Sequence, residues 1–332
     1  MLRSYIERRE IFLHGRDNNR KSLPFEWGTE HLGIRSNGDS ATVLEDYVSR
    51  ALRDSESFYA CEPAAAYEID GEILTFPSAV ETPYHENNTV WGRFFPGGKD
   101  LAVVVLPQWN CKWDGQIQLC RVLQRVGVSS LRLSLPYHHH RKPQYLDRSE
   151  YLVSPNIGRT IAAIRQAVLD TRRAGDWLLE RGYRRIGIVG TSVGSCTGFL
   201  AFAHDERFST GAFIHVSSFF ADVVWNGLST KHVRANLEKA IDLDRLRFLW
   251  SPISPYPFIK RLQGTSRRFL MLSGLYDTTF LPSLTQQGYD EFNRCGIPYE
   301  AVWLPCGHYT MGQFPFSAAV GYQVMKCLIG NH

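Results

Sequence analysis

The sequence predicts an α/β fold, a mostly parallel sheet with helices on both faces, and three observations point to it. Leu101 to Leu106 is apolar without alternation, and Ile186 to Gly190 is a second β-type run, as expected of strands covered on both faces. Strand and helix signals alternate from there to about residue 329, the rhythm of a parallel sheet with crossover helices. Between one strand and one helix lies Gly190-Thr191-Ser192-Val193-Gly194. This spacing places Ser192 on a strand-to-helix turn, where flanking residues without a β-carbon let the two elements pass closely.

The elements follow in order. Residues 1–66 read as an N-terminal helical extension, with helical spacing of apolar residues from Ala41 to Leu52. Tyr67 to Phe76 and Thr89 to Phe95 alternate apolar and polar residues, so each is expected to be an antiparallel leading strand. The buried centre begins with the strand 101–106. A helix over about 115–126, a strand at 130–135, a long helix over 157–181, the strand into Ser192, its helix to about Ala203 and a strand at 211–216 come next. Residues 219–266 break the rhythm with an aromatic-rich stretch, read as an inserted helical cap. The rhythm resumes with a strand at 268–273, a helix over 281–295, a strand at 299–304 and a helix over 316–329. The core is therefore assigned to 67–218 and 267–332.

Composition sets the class. Of 332 residues, 44% are hydrophobic and 21% charged, which suits one soluble domain with decorations. The net charge of +4 is small and dispersed, so no nucleic-acid partner is expected. Residues 1–21 hold charges throughout, and no apolar run approaches about 18 residues, so neither a signal peptide nor an integral membrane segment is expected. The seven cysteines are odd in number and lack C-x-x-C spacing. That argues for reduced thiols in the cytoplasm and against a zinc site.

A serine hydroxyl needs a base to take its proton and a carboxylate to orient that base. Open α/β sheets place such groups at the carboxyl ends of strands. Asp277 follows the apolar strand at 269–272, and His308 follows the strand ending at Leu304. The chain order Ser192, Asp277, His308 is that of one class of serine hydrolase. Asp277 also suits the cap of the following helix, and Asp222 is the rival acid.

These motifs resemble the α/β-hydrolase superfamily across roughly residues 67–330. Leu131 to Arg141 and the Pro107-Gln108-Trp109-Asn110 loop are similar to the α/β-hydrolase domain-containing protein 18-like group. The resemblance implies that Ser192 is the nucleophile, His308 the general base and then acid, and Asp277 its orienter. An oxyanion hole would take the Val193 N–H and a second donor from Gln108 or Trp109. Asn110, Tyr137, His138 and Trp225 are expected in the substrate pocket, with the aromatic residues of 219–266 shaping an apolar acyl site. Consecutive His138-His139-His140 side chains point in different directions, so no metal is expected. Arg141 is expected to meet an acidic group, and Cys196 to be core. The expected activity is hydrolysis of a small or lipid-like carboxylic ester through an acyl-enzyme, without cofactor, with a homodimer one option for the oligomeric state. Amidase, peptidase or acyltransferase chemistry with the same triad, or a non-catalytic binding protein on the same scaffold, are the alternatives.

Overall fold

One sheet holds nine strands: β1 (Glu68–Asp70), β2 (Ile73–Pro77), β3 (Thr89–Phe95), β4 (Leu101–Leu106), β5 (Ser129–Leu133), β6 (Arg185–Thr191), β7 (Phe208–Ile214), β8 (Arg268–Gly274) and β9 (Glu300–Leu304). The computed structural model describes residues 2–34 and 38–330. The strands lie in the order β1-β2-β3-β5-β4-β6-β7-β8-β9. Pairing is antiparallel from β1 through β3 to β5 and parallel across the rest.

The single leading strand expected over 67–76 is instead a hairpin. Asp70 pairs with Ile73 around Gly71 and Glu72, and Gly71 takes φ +56°, a conformation glycine adopts without strain. β7 stops at Ile214 rather than Val216 because the next residue, His215, turns to φ +62° and leaves the strand. In β4, alternate side chains divide between the two faces. Ala102, Val104 and Leu106 join one core cluster, and Leu101, Val103 and Val105 the other.

Eleven α-helices occur among the described residues. The first three, α1 (Leu2–Gly15), α2 (Ser40–Arg53) and α3 (Ser55–Phe58), precede the sheet. The crossovers are α4 (Ile117–Arg125), α5 (Ile157–Glu180) and α6 (Val193–His204). Between β7 and β8 lie the short α7 (Phe220–Asn226), α8 (Lys231–Leu237) and α9 (Leu243–Leu249), and α10 (Pro282–Arg294) and α11 (Phe316–Ile329) flank β9. Helix α5 starts where the Asn156 side chain accepts the Arg159 N–H at 2.8 Å, satisfying one of the unpaired amides of a helix start. Every residue of α6 is buried, as expected of a helix that is apolar all round and held between sheet and helices. Leu44, Val48 and Ala51 of α2 belong to the main core, so the N-terminal residues are built into the same body as the sheet. No helix among the described residues is long and apolar enough to cross a membrane.

Candidate active site

Ser192 sits between β6 and α6 with φ +58° and ψ −122°, a backbone conformation that costs a non-glycine residue on the order of 1–3 kcal/mol and persists only where its surroundings impose it. They do. The Ser192 N–H donates to the Ile214 carbonyl at 2.8 Å, and the Ser192 carbonyl accepts the N–H groups of Ser195 (2.8 Å) and Cys196 (3.2 Å). A β-carbon on Gly190 would fall on the Gly194 carbonyl, and one on Gly194 would fall on the carbonyl oxygens of Leu106 and Pro107. Gly194→Ala therefore displaces the turn. A misplacement of about 1 Å is expected to cost on the order of 10²-fold in kcat/KM, read with a p-nitrophenyl ester on protein whose circular dichroism is unchanged.

The three residues anticipated from chain order come together. Ser192 Oγ lies 3.3 Å from His308 Nε2, and His308 Nδ1 lies 3.2 Å from Asp277 Oδ2. The other oxygen, Asp277 Oδ1, accepts the N–H groups of Thr279 and Phe280 at 2.7 Å each. Both expected uses of Asp277 thus coexist, with one oxygen holding the following turn and the other facing the imidazole. Burial alone would raise the Asp277 carboxyl, but His308 and His215 beside it hold it well below the usual range. The rival Asp222 is occupied elsewhere: both its oxygens accept from Arg247, at 2.8 and 2.7 Å.

His215, at the end of β7, was not anticipated. It is buried, and its ring centroid lies 4.3 Å from that of His308. Its Nδ1 is 2.7 Å from Asp277 Oδ2, but the approach is not linear enough for a hydrogen bond. The two histidines titrate in opposite directions. Burial, reinforced by the adjacent His308, lowers His215. For His308 burial also opposes the charge, but Asp277 and then Glu10 outweigh it and raise the pKa above its ordinary value. His215, Asp277 and His308 offer ligand-type atoms within 4.8 Å of one another. Both imidazoles turn Nδ1 toward the same carboxylate oxygen, His308 as a hydrogen-bond partner and His215 at ion-pair distance, and we assign no ion to the cluster.

A cavity of about 760 Å³ opens above Ser192 and His308 and is also lined by Val193, Gln108, Trp109 and Asn110. The Val193 N–H opens α6, where the helix supplies no partner. The Trp109 side chain is a wall, since its indole N–H donates to the Ser149 carbonyl at 2.8 Å and its ring stacks on His232. The Asn110 N–H donates to His138 Nε2 at 2.9 Å, and the Asn110 side chain accepts the Ser149 N–H at 2.8 Å.

Three of the four pocket expectations need correction. Tyr137 is buried behind the loop against Tyr84 and Tyr151. His138 is also buried, its Nδ1 near the Pro136 carbonyl and its Nε2 used by Asn110, and desolvation lowers its pKa to about 3. Trp225 lies under the Arg234 guanidinium. Neither it nor the other two line the cavity, whose walls from this part of the chain are Phe220, Val223, Val224, Ser229 and Thr230. In a helix each successive residue turns by roughly 100°, so the valines face inward while Trp225 does not. Arg141 forms a fully buried ion pair with Asp170 at 2.8 Å, and the Cys196 thiol is buried against the Ile253 carbonyl. His139 is bound between Ser134 and the Cys111 carbonyl, so the three consecutive histidines do not converge.

No family model and no curated protein matches the chain. Solved structures do. The chain superposes on an acetyl xylan esterase from Paenibacillus sp. R4 with a TM-score of 0.58 at 15% identity, over 89% of this chain and 96% of that one. Acetyl xylan esterase 1 from Thermoanaerobacterium sp. JW/SL YS485 gives 0.57 at 15% identity, over 86% and 92%. The acylaminoacyl peptidase of Pyrococcus horikoshii gives 0.55 at 11% identity, over 80% of this chain and 49% of that one. The chain has the α/β-hydrolase fold. The narrower likeness, to the domain-containing protein 18-like group, rests on the segments 107–110 and 131–141 alone.

Proposed function

We propose that the protein is a serine hydrolase that cleaves a carboxylic ester through an acyl-enzyme on Ser192. The observation that carries this reading is the chain of contacts from Ser192 Oγ to His308 Nε2 and from His308 Nδ1 to Asp277. His308 takes the serine proton as Oγ attacks the ester carbonyl, Asp277 holds the tautomer that leaves Nε2 free, and the resulting imidazolium returns its proton to the leaving alkoxide. Water, deprotonated by the same histidine, then releases the acid. The Val193 N–H and an N–H of Gln108 or Trp109 receive the negative charge of the tetrahedral intermediate.

The apolar part of the walls suits an acyl group. Phe220, Val223, Val224, Leu119 and Met325 line the cavity, whose volume lies within the range of about 300–1,000 Å³ common for small-molecule sites. On this reading 219–266 acts as the cap of the acyl site. That two of the superposed proteins are acetyl xylan esterases favours esters, while the superposed peptidase makes amides the comparison substrate. The test is a panel of p-nitrophenyl esters of graded chain length beside the matching anilides. Hydrolysis of esters by the parent and not by Ser192→Ala is expected; equal turnover by both proteins, or turnover of anilides alone, would overturn the proposal.

A further inference from the structure

The turn that carries His308 closes around a carboxylate from the other end of the chain. Glu10 of α1 is fully buried. Its Oε1 accepts the Thr310 N–H at 2.8 Å and its Oε2 the Tyr309 N–H at 3.0 Å, with Thr278 Oγ1 at 3.5 Å. Gly307 completes the enclosure, since a β-carbon there would strike the Glu10 carboxyl. The Gly307 N–H in turn donates to Thr310 Oγ1 at 2.8 Å. Residues 307–310 thus wrap the carboxylate, and His308 is the member whose side chain faces Ser192.

A carboxylate is a costly choice for a mere anchor. No lysine or arginine pairs with Glu10 among the described residues, and a buried carboxylate without a fixed cation is unfavourable before its hydrogen bonds are counted. Ile6 is the other buried residue of α1, and His14 and Arg9 reach the same region through Tyr309 Oη (3.1 Å) and Gln313 Oε1 (3.4 Å). The nearby group that becomes cationic is His308, at the moment it takes the serine proton. The groups facing His308 are Ser192 at the start of α6, His215 at the end of β7, Asp277 and the stacked Phe280 after β8, and Cys306 and Tyr309 on its own turn. Cys306 is pushed up to about 12 by burial, and Tyr309 likewise to about 12, so both stay neutral. His215 is lowered. Asp277 is the carboxylate that faces the ring, and Glu10 stands behind the turn on the Tyr309 and Thr310 amides.

We propose that Glu10 is a positioning residue for His308: it fixes the imidazole through the Tyr309 and Thr310 amides and places a second negative charge beside the imidazolium. The N-terminal helix is thereby part of the active site. This inference rests on His308 acting as the base.

The test uses the full chain as parent, Glu10→Gln, Glu10→Asp and Ser192→Ala, following kcat and KM for p-nitrophenyl acetate across pH and labelling of Ser192 by a fluorophosphonate. The reaction needs neutral His308, so the parent loses kcat/KM as pH falls through the raised pKa. Glu10→Gln removes a charge that favours the imidazolium, so its acid limb moves to lower pH. Its kcat falls by at least about tenfold, part of the 10²–10⁴ a positioned base supplies, with KM unchanged. Glu10→Asp keeps the acid limb in the parent's place, because the charge remains, but loses kcat because its shorter reach cannot hold both amides. A folded Glu10→Gln protein with the parent's kcat and acid limb overturns the proposal. Should Glu10→Gln not fold, Glu10→Asp decides: an unchanged kcat overturns it as well. A parent that is not labelled at Ser192 refutes the triad reading itself. A labelled parent matched by Glu10→Gln refutes only the role of Glu10.

Discussion

Asp277→Asn lowers kcat on a simple ester by about 10⁴-fold while leaving the protein folded, the size of loss expected when the orienting carboxylate becomes an amide. The reason lies in how the carboxylate is used. Oδ1 is committed to the N–H groups of Thr279 and Phe280, so the carbonyl oxygen of an asparagine stays there and its NH₂ turns toward His308. Facing a donor, His308 Nδ1 must accept, which moves the ring proton to Nε2 and leaves nothing to receive the Ser192 proton. The turn after β8 keeps both amide bonds, so circular dichroism and the denaturation midpoint change little. KM should also hold, because Asp277 does not line the cavity. Steady-state kinetics on the two proteins check this. A loss of tenfold or less would mean that His308 is oriented by something else.

Arg141→Ala destabilises the fold by about 3–5 kcal/mol, the cost of leaving a buried charge without its partner. The guanidinium is fully buried and donates to the Asn87 carbonyl (2.9 Å), the Ser134 carbonyl (3.0 Å) and Asp170 Oδ2 (2.8 Å). Asp170 retains only Ser78 Oγ and the Ala79 N–H, both on its other oxygen. Truncating Arg141 therefore leaves Asp170 Oδ2 and the Ser134 carbonyl without this donor and the Asn87 carbonyl with Gln166 Nε2 alone (3.3 Å), where β5 and α5 meet the 78–88 loop. The midpoint of urea unfolding should fall with its slope unchanged. Activity of the protein that remains folded should persist, because no atom of this pair reaches the cavity. A shift below about 1 kcal/mol, the scale of an exposed pair, would contradict the buried network.

Much of the fold was legible because its strands are unusual in composition. The unbroken apolar run 101–106 has no polar face to place in water, and so announces a strand with neighbours on both sides. The leading hairpin was harder. The alternation of 67–76 continues through Asp70-Gly71, and only the backbone at Gly71 reveals that the chain turns back. Ser192, Asp277 and His308 could be read because each sits at the carboxyl end of a strand, and topology alone carries such residues to one edge. His215 occupies the same kind of position, after β7, but a histidine among many bears no mark of the strand conformation that ends there.

The pocket followed different rules. Tyr137 and His138 also follow a strand, yet Tyr84 and Tyr151 cover one and the Asn110 amide takes the other, contacts that depend on loops far apart in the chain. Val223 and Val224 line the cavity in place of Trp225, a matter of how a two-turn helix is rotated. Glu10 lies nearly 300 residues from the amides it binds, and no local pattern connects them.

The most direct test is the intact mass of the protein after exposure to a fluorophosphonate, followed by peptide mapping. A stoichiometric adduct on Ser192, slowed by an ester substrate and absent from Ser192→Ala, is the expected result. Folded parent protein that forms no adduct, or Ser192→Ala that is labelled as readily as the parent, would contradict a nucleophilic Ser192.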